Sequence, residues 1–303
     1  MHEFECRDEN KRKFDIAIVL SGLGAGGTER IVSFLANHWA DRGGRVTIVS
    51  LDPSDAPSYY AYDPRVTVHR LALPPGRYSS FLAFWMTIKR LFALRAALRA
   101  ASPSMVLSFL TRTNVLTLLA TMGMKVPVVV SERNNPELQV LGRVWRISRS
   151  ILYRRAFGMV TMTKGALTYF SEAQRKRGWV IHNPVNLPHG LQDRRGGNVL
   201  AAVGRFVPQK GFDLLLEAFA QIASQFPDWK LVIWGEGQDE AKLLAQRDLL
   251  GLQDQVQFPG VSASPAAWIE TADVFVLSSP YEGWGIALLG AMAGGLPGAA
   301  VGW

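Results

Sequence analysis

The chain has 303 residues, 48% hydrophobic and 19% charged, with a single cysteine, Cys6, which suits one or two globular domains and excludes a disulfide-stapled or low-complexity chain. Its net charge of +8 is unevenly spread: residues 1–190 carry 26 Lys and Arg against 13 Asp and Glu, and residues 191–303 carry 7 against 12. A basic half joined to an acidic half points to a polyanionic partner on one side only, and an anionic membrane is expected rather than nucleic acid, because no nucleic-acid module is recognisable.

The opening MHEFECRDENKRKFD is polar and lacks the apolar core of a signal peptide, so it reads as a tail, and the lone cysteine fits a reducing cytoplasm. Phe14–Ser21 is a continuous apolar run ending in a glycine cluster, the pattern of a buried strand. Thr28 and Glu29 open a helix that stops at Gly43–Gly44, with Thr28 as the expected N-cap. Strands are predicted at Val46–Leu51 and Val66–Leu71. Tyr78–Ala101 reads as a basic amphipathic helix: Phe81, Phe84, Trp85, Ile88, Leu91 and Phe92 fall near helical spacing, and Lys89, Arg90, Arg95 and Arg99 follow. Its uncharged part is shorter than the roughly 20 residues needed to span a bilayer. Strands follow at Met105–Phe109 and Val126–Ser131, then an Arg-rich helix within Gly142–Phe157 and a strand at Gly158–Thr163. That helix sets Arg143, Arg146 and Arg149 three apart, with Arg154 and Arg155 behind them. Each basic helix reads either as a membrane-interface helix or as a surface helix with a core-facing stripe.

His182–Gly197 is polar and reads as a linker, after which the pattern restarts. Strands are predicted at Val199–Gly204, Trp229–Trp234, Val256–Phe258 and Val274–Ser278, alternating with helices at Phe212–Phe226, Gln238–Leu250, Pro265–Ala272 and Gly285–Ala293. Apolar strands alternating with helices predict parallel sheets covered on both faces. The fold class is therefore α/β with two Rossmann-like domains, residues 14–184 and 198–303.

Three strand-to-helix loops carry the candidate chemistry. Gly22-Leu-Gly24-Ala-Gly26-Gly27, with Asp52 ending the next strand, fits the dinucleotide motif. The same glycines serve a phosphate-binding helix start in nucleotide enzymes other than NAD-dependent ones, and a tight turn without a ligand is the alternative. Gly204-Arg205-Phe-Val-Pro-Gln-Lys210-Gly211 sets two cations five apart, which can hold a diphosphate or be solvated loop charges. Ser278-Ser-Pro-Tyr-Glu282-Gly-Trp-Gly285-Ile286-Ala287 offers backbone N–H groups to a phosphate, with Glu282 a site acid or a helix-capping acid. No zinc spacing and no Asp-x-Asp element occurs, so no metal is expected.

The segments GLGAGGTERIVSFLANHWADRG, SERNNP, IHNPVNL, GRFVPQKGFDLLLEAFA, VIWGEGQ and ADVFVLSSPYEGWGIALLGAMAGGLP, in this order, resemble the family 4 retaining glycosyltransferases of the GT-B fold. The resemblance implies two facing Rossmann-like domains. It assigns Arg205 and Lys210 to the donor diphosphate and Glu282, the first acid of an E-x7-E element, to the donor sugar. Gly26 and Gly27 would close the other side of the cleft, Gly285, Ile286 and Ala287 would meet a phosphate, and Pro259–Val261 would lie by the base. Asn114, Glu132 and Arg133 fall on the acceptor side. It also implies transfer of a hexosyl or N-acetylhexosaminyl group from a nucleotide-sugar co-substrate, a UDP-sugar favoured, to a lipid-linked or cell-envelope saccharide. No cofactor is needed, and the expected place is the inner face of the cytoplasmic membrane, held peripherally. Where the family has its second Glu, for the ribose hydroxyls, this chain has Gly290. Losing a hydrogen bond to a charged group, about 1.5–3 kcal/mol, weakens donor binding by about 10- to 150-fold. The Gly-rich LPGAAVGW is expected to be a poor strand, and the second domain reads as C-terminally truncated. An NAD-dependent oxidoreductase, a sugar-nucleotide epimerase and an inactive membrane-associated remnant are the alternatives at this point.

Overall fold

The computed structural model describes residues 14–76, 79–185, 196–262 and 265–301. Cys6 and the tail, Tyr78 and most of the predicted linker lie outside the described residues. The chain divides into two compact units, Met1–His182 and Asn183–Trp303.

Unit 1 runs β1 (Asp15–Leu20), α1 (Gly27–Asp41), β2 (Arg45–Ser50), β3 (Thr67–Arg70), α2 (Ser80–Ala101), β4 (Met105–Phe109) and α3 (Thr111–Ala120). It continues with β5 (Val128–Ser131), α4 (Arg143–Leu152), a 3-10 turn, β6 (Gly158–Thr161), α5 (Lys164–Thr168), α6 (Glu172–Arg175) and β7 (Gly178–Val180). All seven strands are parallel, in the order β3-β2-β1-β4-β5-β6-β7. The unbroken apolar run of β1 has its reason here. Ala17 and Val19 pack into the core shared with α2, α3 and α4, while Ile16, Ile18 and Leu20 pack on the opposite face beneath α1. A strand covered on both faces needs apolar residues at every position. Each such Leu, Ile or Val contributes about 1.5–3 kcal/mol on burial.

Three expectations for this unit are corrected. The N-cap of α1 is Gly26, two positions before Thr28. The backbone already turns helical at Gly27, so Thr28 lies inside the first turn. In α2 most of the stripe does not face the core: Phe81, Phe84, Trp85 and Phe92 are exposed, Leu91 packs against the core, and Leu94 and Leu98 are the fully buried residues. Its cations are not gathered on one face either. Arg90 donates to the carbonyls of Leu73 and Pro74, and Arg95 to those of Ala120 and Met122 at the end of α3, where the helix dipole favours a cation. In α4, Arg149 leaves the predicted Arg row; it is 3% exposed while Arg143 and Arg146 are exposed.

Unit 2 runs β8 (Val199–Val203), a 3-10 turn, α7 (Phe212–Ala223), β9 (Lys230–Trp234), α8 (Glu240–Leu249), β10 (Val256–Gln257), α9 (Pro265–Thr271), β11 (Val274–Leu277), α10 (Ile286–Ala293) and β12 (Gly298–Ala300). Its parallel sheet has the order β10-β9-β8-β11-β12. The Gly-rich end, expected to be a poor strand, does pair: Gly298, Ala299 and Ala300 align with Phe275, Val276 and Leu277. Small residues suffice because the ladder is made by backbone groups, and Leu296, just before it, is buried.

In both sheets the order in which strands are added reverses once, between β1 and β4 in unit 1 and between β8 and β11 in unit 2. In open parallel sheets ligands bind outside the carboxyl ends of the strands at such a reversal.

Candidate active site

In unit 2 the reversal is framed by the loops that follow β8 and β11. Lys210 Nζ in the first loop stands 2.5 Å from Glu282 Oε1 in the second, both side chains largely shielded from water. Ser278 Oγ donates to the Lys210 carbonyl at 2.8 Å, and Gln209 Nε2 donates to the Tyr281 carbonyl at 3.4 Å. The close approach of the loops requires glycine. Gly211 has φ 61° and ψ 30°, and a Cβ there would lie 2.5 Å from the Ser278 carbonyl oxygen. At Gly235, after β9, a Cβ would lie 1.9 Å from the Gly204 carbonyl oxygen.

Two further positive features lie on the loops that carry the pair. Arg205 is exposed and forms no ion pair among the described residues. Gly285, with φ 57°, is the N-cap of α10, so the amides of Gly285, Ile286 and Ala287 lie where a helix offers N–H groups without intrahelical acceptors and a partial positive charge. Val261 is partly buried and follows Gly260, whose carbonyl accepts the Gly235 N–H at 2.8 Å. Lys210, Glu282, Arg205 and the start of α10 therefore share one sheet edge, as the motif spacing requires. An anion of diphosphate size fits that chemistry.

In unit 1, Gly26 caps α1 with φ −84° and ψ 161°, and Gly27 is the first helical residue. The Glu29 carboxylate folds back over this turn, so that a Cβ at Gly26 would collide with it. Asp52 Oδ1 lies against Gly22, 2.8 Å from where a Cβ would be.

Beyond the ends of β4 and β5 lies a buried network. Tyr153 Oη donates a short hydrogen bond to Glu132 Oε1, and Thr111 Oγ1 lies 3.0 and 2.9 Å from the two Glu132 oxygens. Asn114 Nδ2 donates to Tyr153 Oη and to the Ser131 carbonyl, and Ser108 Oγ donates to Asn114 Oδ1. Burial pushes the Glu132 carboxyl above its ordinary range, against the Tyr153 hydrogen bond, the Arg149 charge and the Thr111 hydroxyl, which pull it down. Arg149 Nη2 bonds Tyr169 Oη at 2.6 Å, and its guanidinium lies over the Tyr169 and Phe170 rings. Arg133, over the Phe109 ring at 5.0 Å, has its pKa drawn down to about 10 by burial. Asn114 and Glu132 are thus in the interior at the sheet edge and present no side chain to solvent.

Residues 26–186 match the family model for the glycosyl transferase 4-like domain, and residues 189–301 that for glycosyl transferases group 1. The chain belongs to the glycosyltransferase 4-like family. Among the relatives of this glycosyltransferase is an α-1,4-N-acetyl-D-galactosaminyltransferase of Campylobacter jejuni, 27% identical over 273 residues, 88% of this chain and 74% of the relative. Another is the amylovoran biosynthesis glycosyltransferase AmsD of Erwinia amylovora, 24% identical over 293 residues, 94% of this chain and 80% of the relative. Among solved structures, sucrose-phosphate synthase from Thermosynechococcus elongatus superposes with a TM-score of 0.76 at 19% identity, over 94% of this chain and 80% of that one. Anabaena HepE, in complex with UDP and glucose, does so with 0.70 at 18%, over 95% and 80%. These likenesses establish the two-domain α/β GT-B fold. Family membership makes the enzyme a transferase and displaces the oxidoreductase reading of the first glycine cluster.

For this glycosyltransferase, Gly290 lies in mid-helix in α10, where a Cβ would meet nothing within 4 Å. Among the described residues no helix is long and apolar enough to cross a membrane, and no three His, Cys, Asp or Glu side chains gather as a metal set. Thr111, Tyr153 and Gln139, which join the Glu132 network, carry no signal in the sequence and meet only through the tertiary fold.

Proposed function

We propose that this glycosyltransferase moves a hexosyl or N-acetylhexosaminyl group from a nucleoside-diphosphate sugar, with a UDP-sugar favoured, to a lipid-linked or cell-envelope saccharide, retaining the anomeric configuration. The observation that carries the reading is the Lys210–Glu282 pair at the β8/β11 reversal, beside exposed Arg205 and the start of α10. The bond between the sugar C1 and the diphosphate oxygen breaks, a bond from C1 to the acceptor hydroxyl oxygen forms, and the hydroxyl proton leaves with the diphosphate. Charge develops on the leaving oxygens, and fixed cations and amides aimed at them stabilise it. Arg205 and Lys210 hold the diphosphate and the Gly285–Ala287 amides meet its oxygens, so no metal is assigned. Glu282 orients the sugar, Val261 lies by the base, and Gly26 and Gly27 line the donor side of unit 1. The HepE complex with UDP and glucose and the name of the C. jejuni relative, an acceptor saccharide on PP-undecaprenol, support donor and acceptor class.

The acceptor side is assigned to unit 1, working peripherally against the anionic inner face of the cytoplasmic membrane. The support is an exposed aliphatic row on α4, Val144, Ile147 and Ile151, flanked by exposed Arg143, Arg146, Arg154 and Arg155. A row of this kind, apolar between cations, matches the lipid interface better than a polyanion in water.

Release of UDP from UDP-glucose, UDP-GlcNAc or UDP-GalNAc in the presence of undecaprenyl-diphosphate-linked saccharides tests the reading, with the product's anomeric proton followed by NMR. An α-linked product from the α-linked donor supports it. A β-linked product contradicts retention, and no acceptor-dependent release contradicts the transfer.

A further inference from the structure

Leu110, joining β4 to α3, has φ 71° and ψ 140°, a conformation that costs a non-glycine residue energy and persists only where neighbours enforce it. It lies at the β1/β4 reversal of unit 1, the sheet edge where the fold rule places a ligand. The neighbours are identifiable. The Leu110 N–H donates to the Ser131 carbonyl at 3.0 Å, its carbonyl accepts the Asn114 N–H at 2.8 Å, and the next residue, Thr111, is tied to buried Glu132. Glu132, 1% exposed, also takes the Tyr153 hydroxyl, so one carboxyl joins the ends of β5, α3 and α4. The segment that follows Glu132 is held by the same set: Gln139 Oε1 lies 3.0 Å from Thr111 Oγ1, and Arg149 Nη2 reaches the Pro136 carbonyl at 3.4 Å.

We infer that Glu132 is a positioning residue for the acceptor. Without touching it, the carboxyl clamps the strained Leu110 turn and the Arg133–Leu141 segment into the edge that receives the acceptor saccharide. The inference rests on the assignment of the acceptor to unit 1. A carboxyl kept out of water at a sheet edge, bonded to hydroxyls from two helices, stabilises one backbone arrangement over its neighbours. An enzyme needs that arrangement because a misplacement of about 1 Å in a positioning element costs on the order of 100-fold in rate.

The test uses Tyr153→Phe and Thr111→Val, which remove one hydroxyl each and keep the packing, with Glu132→Gln as the conservative variant. Acceptor KM, donor KM and kcat are measured for each, with amide hydrogen exchange of residues 133–142. Expected are a fivefold or larger rise in acceptor KM for the first two, donor KM within twofold of wild type, and faster exchange in the segment. Glu132→Gln, which keeps one acceptor oxygen, falls between them and wild type. The Tyr153→Phe/Thr111→Val double variant loses less than the product of the single effects. Unchanged acceptor KM in folded variants, or equal rises in both KM values, overturns the inference while the transferase reading stands. A wild-type chain that transfers nothing overturns both.

Discussion

Lys210 and Glu282, 72 positions apart in sequence, meet 2.5 Å apart across two loops that leave adjacent strands. The contact joins the two motifs to which the proposal assigns donor binding, and in it each side chain neutralises the other. It follows that the two substitutions separate. Lys210→Ala removes a charge-assisted contact to the diphosphate and weakens UDP binding by about 10- to 150-fold. Glu282→Ala releases Lys210, so UDP binds as well as before or more tightly, while kcat falls by about 100-fold or more because the sugar loses its orienting group. Calorimetry and steady-state kinetics on the two variants measure both effects.

Gly290 is the position most open to gain. Space for a side chain exists at its Cβ, and glycine inside a helix costs about 1 kcal/mol relative to alanine. Gly290→Ala is expected to raise Tm, and Gly290→Glu, whose carboxylate enters a buried position, to tighten UDP binding by about 10- to 150-fold, the contribution of one hydrogen bond to a charged group. Nucleotide titration of the variant, beside Gly290→Ala as a control for helix propensity, measures the two effects separately.

Buried Glu132 gives the stability a pH dependence of known sign. Its carboxyl is raised by burial, so between its unfolded value of about 4.3 and its folded value the native state holds more protons than the unfolded one. The stability it supports is complete below that window and is lost as pH rises through the folded value. Glu132→Gln carries no such titration. The Tm of the variant minus that of wild type therefore grows more positive from pH 4 upward; a difference that stays flat contradicts the account. Calorimetric scans across this range provide the measurement.

On α4, the lipid contact proposed above does not take in all three evenly spaced arginines. Arg149 is buried under Tyr169 and Phe170, so Arg149→Ala acts on folding, whereas Ile147→Asp and Arg143→Ala/Arg146→Ala act on lipid. Co-sedimentation with phosphatidylglycerol vesicles is expected to fall several-fold for both of the latter, and only the arginine variant's loss is mimicked by salt.

Strands such as β1, β2, β4, β9 and β11 were legible because each is an apolar run with glycine or polar residues at its ends, whereas β7, a three-residue strand with Trp179 exposed, was not predicted. The loops of unit 2 were legible because their chemistry lies within one motif each. The helix α3 was not, since TRTNVLTLLA is rich in β-branched residues and, being buried on nearly every side, shows no polar face to mark a helical period. The placement of Arg149 was hidden for a related reason. Spacing by three gives arginines one side of a helix only approximately, and the rings of Tyr169 and Phe170 that take Arg149 arrive from 20 residues further on. The pairing of β12 escaped prediction because a short strand can be held by its neighbour's backbone with little help from side chains. The Glu132 network joins residues from positions 108 to 153, and no local pattern signals it.

The central claim is that the β8/β11 reversal of unit 2 is a nucleoside-diphosphate site. Calorimetric titration of UDP into the wild-type chain and into Arg205→Ala/Lys210→Ala, with NAD as the comparison ligand, tests it most directly. The account predicts UDP binding to the wild type, its loss in the double variant, and no binding of NAD. UDP binding that survives the double substitution, or binding of NAD alone, contradicts it.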